Sequence, residues 1–340
     1  MKAVRFHEHG GLDVLRYEDA PDPIAKPGWA LVRVRACALN HLDLWERRGL
    51  DRVALPLPHI SGSDIAGEIV TPGESLLAAG TRVMLQPGLR CGRCPACADG
   101  RDNQCVDYDV LGLRSDGGYA ELIAVPAENL IAIPPEIDFI TAAAFPLTFL
   151  TAWHMLITRA GLRAGETVLV LAGGSGVGQA AIQLAKHFGA RVFATSAPGK
   201  TDRTLALGAE HVFDHYAGDY AKELKRLTGG RGADIVVEHV GEATWQRSVR
   251  ALATGGRLVT CGATTGYAAT LDLRHLFARQ LSFLGCYMGR FAELTAAAPL
   301  LFNGTLVPVI DRVFPLTEAV AAQRRLEEKS QFGKVVMAVD

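Results

Sequence analysis

An excess of either charge is what this 340-residue chain most plainly lacks: 35 Lys and Arg stand against 36 Asp and Glu, a formal net charge of −1. Basic residues are scattered, with no run longer than a pair such as Arg47-Arg48. That argues against a nucleic-acid-binding face, whose footprint is a clustered basic patch. Cysteine is scarce outside one stretch. Of seven, four fall between Cys91 and Cys105, while Cys37, Cys261 and Cys286 stand alone in apolar, strand-like runs. This distribution speaks against a disulfide framework and suits a reducing compartment. A signal peptide is not apparent, since Met1-Lys2 leads straight into an alternating, charged segment. The one long stretch without formal charge, Phe139–Ile157, contains Thr141, Pro146, Thr148, Thr151 and His154. It reads as buried helices crossing a domain junction, not as a membrane span. A cytoplasmic chain with a small-molecule substrate, and neither nucleic acid nor membrane as partner, is the expectation.

What is present begins with size. A single core stops growing at about 250–300 residues, so two domains are expected. Hydrophobic content of 49% and charged content of 21% are those of an ordinary globular enzyme. Cys91, Cys94, Cys97 and Cys105 follow the spacing C-x2-C-x2-C-x7-C within the Gly/Pro/Asp-rich loop Pro87–Asp116. Four thiolates at that pitch can close a tetrahedral shell around one Zn²⁺, which braces structure and leaves no position for substrate.

The first third reads as β-rich. In Ala30–Ala36, Val32, Val34 and Ala36 alternate with Arg33 and Arg35, the period of a half-buried strand. Asn40–Arg48 opens a short helix, and Ser63–Val70 and Thr81–Leu85 look like further strands. From about Glu166 strand and helix alternate. The strand-like runs are Val168–Leu171, Val192–Thr195, His211–Phe213, Ile235–Val237, Leu258–Cys261 and Leu281–Cys286. Val177, Ala181, Leu184, Ala185 and Phe188 fall on one face of a helix between the first two. Six strands with crossover helices predict an α/β domain built on a doubly wound, parallel, six-stranded Rossmann sheet.

Directly after the first of these strands comes Ala172-Gly173-Gly174-Ser175-Gly176-Val177-Gly178. Strand, glycine turn and helix opening in that order bring backbone N–H groups and a helix N-terminus against a pyrophosphate. Gly173, Gly174, Ser175, Gly176, Val177 and Gly178 are therefore the candidate cofactor-binding turn, although Ser175 stands at the middle position of a strict G-x-G-x-x-G. An NAD-preferring site would carry an acid at the end of the second strand. Here Thr195-Ser196-Ala197-Pro198-Gly199-Lys200 has none until Asp202. Ser196 and Lys200, with Arg203 behind them, suit the 2′-phosphate of NADP(H), which is favoured over NAD(H). Alternatively, Thr201 or Asp202 is the N-cap of the next helix and Lys200 is merely solvated.

The cysteine knuckle, the glycine turn, Gly255-Gly256-Arg257-Leu258-Val259 and the closing Gly333-Lys334-Val335-Val336 together resemble the medium-chain dehydrogenase/reductase superfamily, the zinc alcohol dehydrogenase and quinone oxidoreductase group. The resemblance runs through essentially the whole chain. It implies a β-rich GroES-like catalytic domain carrying the zinc knuckle, residues 1–149 with 290–340 returning to it, and a Rossmann NAD(P)-binding domain over 150–289. It also implies a homodimer or a dimer of dimers, joined at sheet edges near Ser282–Tyr287.

Alcohol dehydrogenases of this group hold a second, catalytic zinc through Cys, His and Cys. The corresponding positions here read Asn40, Ser63 and Leu147, and the proton-relaying Thr or Ser is Leu42. What remains resembles the zinc-independent quinone and enone reductases, in which Asn commonly stands at the position of Asn40. Trp45 occupies a position where that branch often has Tyr, and His41 one where relatives contact the cofactor pyrophosphate. Asn40, His41 and Trp45 are the candidate catalytic residues. Asn40 reads equally well as the N-cap of the short helix with Asp43 at its third position. His41 reads equally well as an exposed helix residue, and Trp45 as part of the core. An alternative metal set, His41, Asp43, His59 and Asp64, is conceivable. The function expected is NAD(P)H-dependent hydride transfer to a quinone or α,β-unsaturated carbonyl. An alcohol dehydrogenase with unusual metal ligands or none, and an inactive NADPH-binding sensor, are the alternatives.

Overall fold

The computed structural model describes every residue except 51 and 52 and divides into two compact units, Met1–Leu147 with Arg290–Asp340, and Thr148–Gly289.

The first unit is built on a seven-stranded sheet. Trp29–Ala38 lies in its middle, paired antiparallel with Asp64–Thr71, with Leu122–Pro126 and with Lys334–Ala338. The alternation in Ala30–Ala36 is realised: Val32, Val34 and Ala36 are buried, while Arg33 is exposed and Arg35 pairs with Glu68 at 2.9 Å. The buried face joins Ile65, Ile69, Val83, Leu85, Leu111, Tyr119, Ile123 and Met337 in one core. Each such aliphatic side chain contributes roughly 1.5–3 kcal/mol through the area it withdraws from water. The helix His41–Arg48 follows the central strand and buries Asp43, Leu44, Glu46 and Arg47. Arg47 reaches Gln323 at 2.8 Å and the Glu327 carboxylate, which tie this helix to Ala319–Glu327.

The second unit is the parallel six-stranded sheet. Its order, reading across, is His211–Asp214, Arg191–Ser196, Thr167–Val170, Ala233–Glu238, Leu252–Thr260 and Ser282–Gly285. This is the doubly wound arrangement, with the first and fourth strands adjacent where the winding reverses direction. The helix Gly176–His187 buries Ala180, Ala181, Ile182, Leu184 and Ala185, with Val177 and Phe188 half-buried at its ends.

Two local expectations are corrected. Cys261 and Cys286 lie just beyond the ends of their strands, because pairing stops at Thr260 and Gly285. The helix after the second strand runs over Thr201–Ala206 with Lys200 at its N-cap position. Neither Thr201 nor Asp202 is the cap, since the backbone turn through Lys200 already starts the helix. The Phe139–Ile157 stretch is broken into Phe139–Ala143, Pro146–Trp153 and a π-helical turn from His154. No helix among the described residues is long and apolar enough to cross a membrane.

Candidate active site

The glycine turn occupies the carboxyl end of the first parallel strand, at the point where the winding reverses, which is where doubly wound sheets bind their ligands. Its geometry demands small residues. A Cβ on Gly178 would stand 2.3 Å from the Ala172 carbonyl oxygen, and one on Gly173 would stand 2.7 Å from Thr204 Cγ2. The helix thus opens hard against the strand end. Ser175 caps it, its Oγ accepting the Gly178 N–H at 2.9 Å, while Thr195 Oγ1 accepts the Ala172 N–H at 3.0 Å. Tight turn, capped helix and Rossmann order fit a dinucleotide pyrophosphate bound on the helix N-terminus.

His239 was not anticipated from sequence. It follows the fourth strand, across the reversal point from the turn, and its Nε2 lies 3.0 Å from Ser175 Oγ. Burial lowers its pKa to about 4, so the ring is neutral at ordinary pH. The Ser175 hydroxyl accepts from Gly178 and shares one further hydrogen bond with Nε2, whose direction follows the ring tautomer. Among the described residues Nδ1 has no partner. Beside it, the buried Glu238 carboxylate accepts from the N–H groups of Val240 and Gly241 and from the hydroxyls of Thr244 and Ser248. That network fixes the chain at the end of the fourth strand.

Ser196 ends the second strand in a buried position, Lys200 is half-exposed four residues on, and Arg203 is exposed on the following helix. A hydroxyl and two cations thus cluster in sequence at the strand end where doubly wound folds distinguish the two dinucleotides.

In the first unit the sulfur atoms of Cys91, Cys94, Cys97 and Cys105 lie within 4.8 Å of one another, those of Cys94 and Cys97 at 3.6 Å. A tetrahedron with Zn–S bonds of about 2.3 Å has edges of about 3.8 Å, so the cluster matches such a shell closely. The backbone prepares it: N–H groups of Cys91 and Asp107 donate to Cys105 Sγ at 3.3 Å. N–H groups of Cys97 and Val106 lower the Cys94 thiol to about 6. Burial and the neighbouring sulfurs push Cys97 up to about 12. A dication is what allows four such sulfurs to be thiolates together. These residues fit a structural zinc.

The three positions aligned with catalytic zinc ligands behave differently. Asn40 and Leu147 come together on Asp64, whose Oδ2 accepts Asn40 Nδ2 at 3.0 Å and whose Oδ1 accepts the Leu147 N–H at 2.7 Å. Into the same cluster Lys334 brings an ammonium group that donates to Asp64 Oδ2 at 2.8 Å, Asn40 Oδ1 at 2.7 Å and the Leu39 carbonyl at 2.8 Å. Lys334 and Asp64 are 2% and 0% exposed and Asn40 is 8% exposed. An ammonium held between a carboxylate and an amide oxygen disfavours a second cation there, and the set offers neither thiolate nor imidazole. Ser63 is buried, with its Oγ unpartnered among the described residues.

Asn40 is the N-cap residue of this helix, in a capping box with Asp43 at its third position. The Asn40 backbone N–H donates to Asp43 Oδ2 at 2.8 Å, and Tyr119 OH donates to the same oxygen at 2.7 Å. Burial still raises the Asp43 pKa, those two bonds offsetting part of the effect. Glu46, one turn on, is also buried and pushed well above the ordinary range by desolvation and by Asp43. His41 and Trp45 share the half-buried side of this helix, their rings 6.3 Å apart.

The alternative metal set is overturned. His59 Nε2 is committed to the Gly112 carbonyl at 2.7 Å, Asp43 to Tyr119 and Asn40, and Asp64 to Lys334. Among the described residues, the group of His, Cys, Asp or Glu side chains placed to hold an ion is the four-cysteine cluster.

Comparison with known proteins agrees with both units. Residues 26–135 match the alcohol dehydrogenase GroES-like domain and residues 176–303 match the zinc-binding dehydrogenase family. A solved structure described as an NAD-dependent alcohol dehydrogenase is 45% identical, with a TM-score of 0.97 and both chains covered in full. Human quinone oxidoreductase is 29% identical over 99% of this chain and 97% of its own length. The spectinabilin polyketide synthase system protein NorB of Streptomyces orinoci is 37% identical over 94% of this chain, which spans 14% of that protein. The chain belongs to the medium-chain dehydrogenase/reductase superfamily and is an NAD(P)-dependent oxidoreductase.

Proposed function

We propose that this enzyme reduces a quinone or an α,β-unsaturated carbonyl compound, using NADPH, with no metal at the reacting oxygen. The observation that carries the reading is the Lys334–Asp64–Asn40 cluster, in which Asn40 stands where the resemblance places a catalytic zinc ligand of the alcohol dehydrogenases. When bound, the reduced nicotinamide supplies the hydride and leaves oxidised. As the new C–H bond forms at the electrophilic carbon, the π electrons of the substrate move to its oxygen, and a proton from solvent completes the product. The chain's task is to meet that developing charge with a fixed donor, and the Asn40 amide is the candidate. Trp45 offers a flat apolar ring to a planar substrate, and His41 is a candidate contact for the pyrophosphate. Ser196, Lys200 and Arg203 would hold the 2′-phosphate, and Cys91, Cys94, Cys97 and Cys105 one structural Zn²⁺. The edge position of Ser282–Gly285 supports a homodimer, or a dimer of dimers, joined along that strand, and the proposed setting of the enzyme is the cytoplasm.

A second reading, oxidation of an alcohol with NAD, is favoured by the 45% identity to the structure so described. A panel of quinones, enones and alcohols with each dinucleotide, run beside metal analysis, separates the two. One zinc per chain and turnover of quinone or enone with NADPH is the expected result. A second zinc required for alcohol oxidation overturns the proposal, and tight NADPH binding without turnover of any class points to a nucleotide sensor.

A further inference from the structure

Lys334 is the residue the proposed reaction leaves unexplained. A lysine is almost never fully buried without a reason, and this one lies in Lys334–Ala338, a strand otherwise made of apolar residues. Its three ammonium protons are all spent, on the Leu39 carbonyl, Asn40 Oδ1 and Asp64 Oδ2. It therefore has no proton left to offer a substrate.

The count for Asn40 comes out differently. Its oxygen accepts from Lys334 and one of its two amide hydrogens goes to Asp64. Among the described residues the second hydrogen has no partner, and Asn40 is the most exposed member of the trio, at 8% against 2% and 0%. The trio also settles which end of the amide is which. An ammonium requires the oxygen and a carboxylate requires the nitrogen, so a flipped amide would face two repulsive contacts.

We propose that Lys334 is a positioning residue. With Asp64 it locks the Asn40 amide in one orientation and polarises it, leaving a single N–H for the substrate oxygen. The inference rests on the reading of Asn40 as the donor to that oxygen. An ammonium on the amide oxygen draws electron density from nitrogen and makes the remaining N–H a stronger donor. Asp64 is in turn held by the Leu147 N–H, so the carboxylate cannot swing away.

The test compares kcat, KM and NADPH affinity of the full-length, zinc-loaded enzyme with a quinone and an enone, for Asn40→Ala, Lys334→Met and the combination. Asn40→Ala should lower kcat about 100-fold, the effect of losing one oxyanion donor. Lys334→Met should lower kcat about tenfold, the loss that one weakened charge-assisted hydrogen bond brings. NADPH affinity, read by fluorescence, should stay unchanged. In the combined variant the lysine change should cost nothing further, because there is no amide left to position.

Should Lys334→Met fail to fold, Asp64→Asn with Lys334→Met removes both charges at once. That pair should regain stability and remain slow. The enzyme labelled with ¹⁵N at its four asparagines gives a readout without turnover, in which the Asn40 side-chain resonances, identified by their loss in Asn40→Ala, should shift in the paired variant. Additive losses, full kcat in the paired variant, or unmoved Asn40 resonances would overturn the role of Lys334. An Asn40→Ala enzyme as fast as the wild type would instead overturn the reading of Asn40 on which it stands.

Discussion

Replacing His239 by Gln should make the protein markedly less sensitive to acid. In the folded state burial lowers this imidazole from 6.5 to about 4, whereas the unfolded chain restores the higher value. Between those two pH values the unfolded state binds a proton that the folded state refuses. Stability is therefore fully present above about pH 6.5 and is lost as pH falls toward 4. The drop from 6.5 to about 4 corresponds to about 3 kcal/mol, at about 1.4 kcal/mol for each pH unit. Gln keeps a hydrogen-bonding group for Ser175 Oγ, which lies 3.0 Å from Nε2 in the wild type, but it does not titrate. Urea unfolding of both proteins at pH 7.5, 5.5 and 4.5 reads the difference. The wild type should lose about 2–3 kcal/mol more than the variant across that span, or on the order of 10 °C in Tm. If the two stabilities fell in parallel, His239 would be charged or solvated in the folded protein, and its burial as a neutral ring would be refuted.

Two further outcomes are expected. Cys94→Ser should release the zinc, seen as metal content falling from one per chain toward zero, and lower Tm by about 2–4 °C for each kcal/mol of lost bracing. It should leave NADPH binding intact, because the glycine turn belongs to the other unit. Lys200→Glu should raise the KM for NADPH at least about tenfold, a loss of about 1.4 kcal/mol. The KM for NADH should change little, and an equal rise for both dinucleotides would remove Lys200 from 2′-phosphate recognition.

The parts of the fold legible in the sequence were those written in local periodicity and spacing. Valines alternating with arginines mark the Trp29–Ala38 strand, strand–helix alternation gives the parallel sheet, and the four cysteines lie close enough along the chain to be read as one cluster. The candidate site was legible only in part. Asn40 was singled out as a candidate, but its partners Asp64 and Lys334 lie 24 and 294 residues away, and no local rule joins them. A signal did exist: Lys334 opens a run of buried apolar strand residues, and a lysine in such a place calls for a buried anion. His239 escaped for a similar reason. It pairs with Ser175 from 64 residues away because two strands far apart in sequence are neighbours in the sheet. The two readings of Asn40 are compatible: it caps the helix in a box with Asp43, and its amide also meets the ammonium.

The pairing of Lys334–Ala338 with the strand that contains Cys37 and Ala38 also bears on the order in which the protein is made. The second unit is contiguous, and all its strands are available once residue 289 has been synthesised. The first unit has to wait for residues near 338 before its central strand gains its last neighbour. Long loops must close before such contacts reward the chain, and chains fold domain by domain as they emerge. The nucleotide-binding unit can thus be complete on the ribosome while Asp64 still lacks its ammonium partner. Assembly of the Lys334–Asp64–Asn40 cluster is thus a late event in this architecture, because its ammonium lies 270 residues beyond its carboxylate.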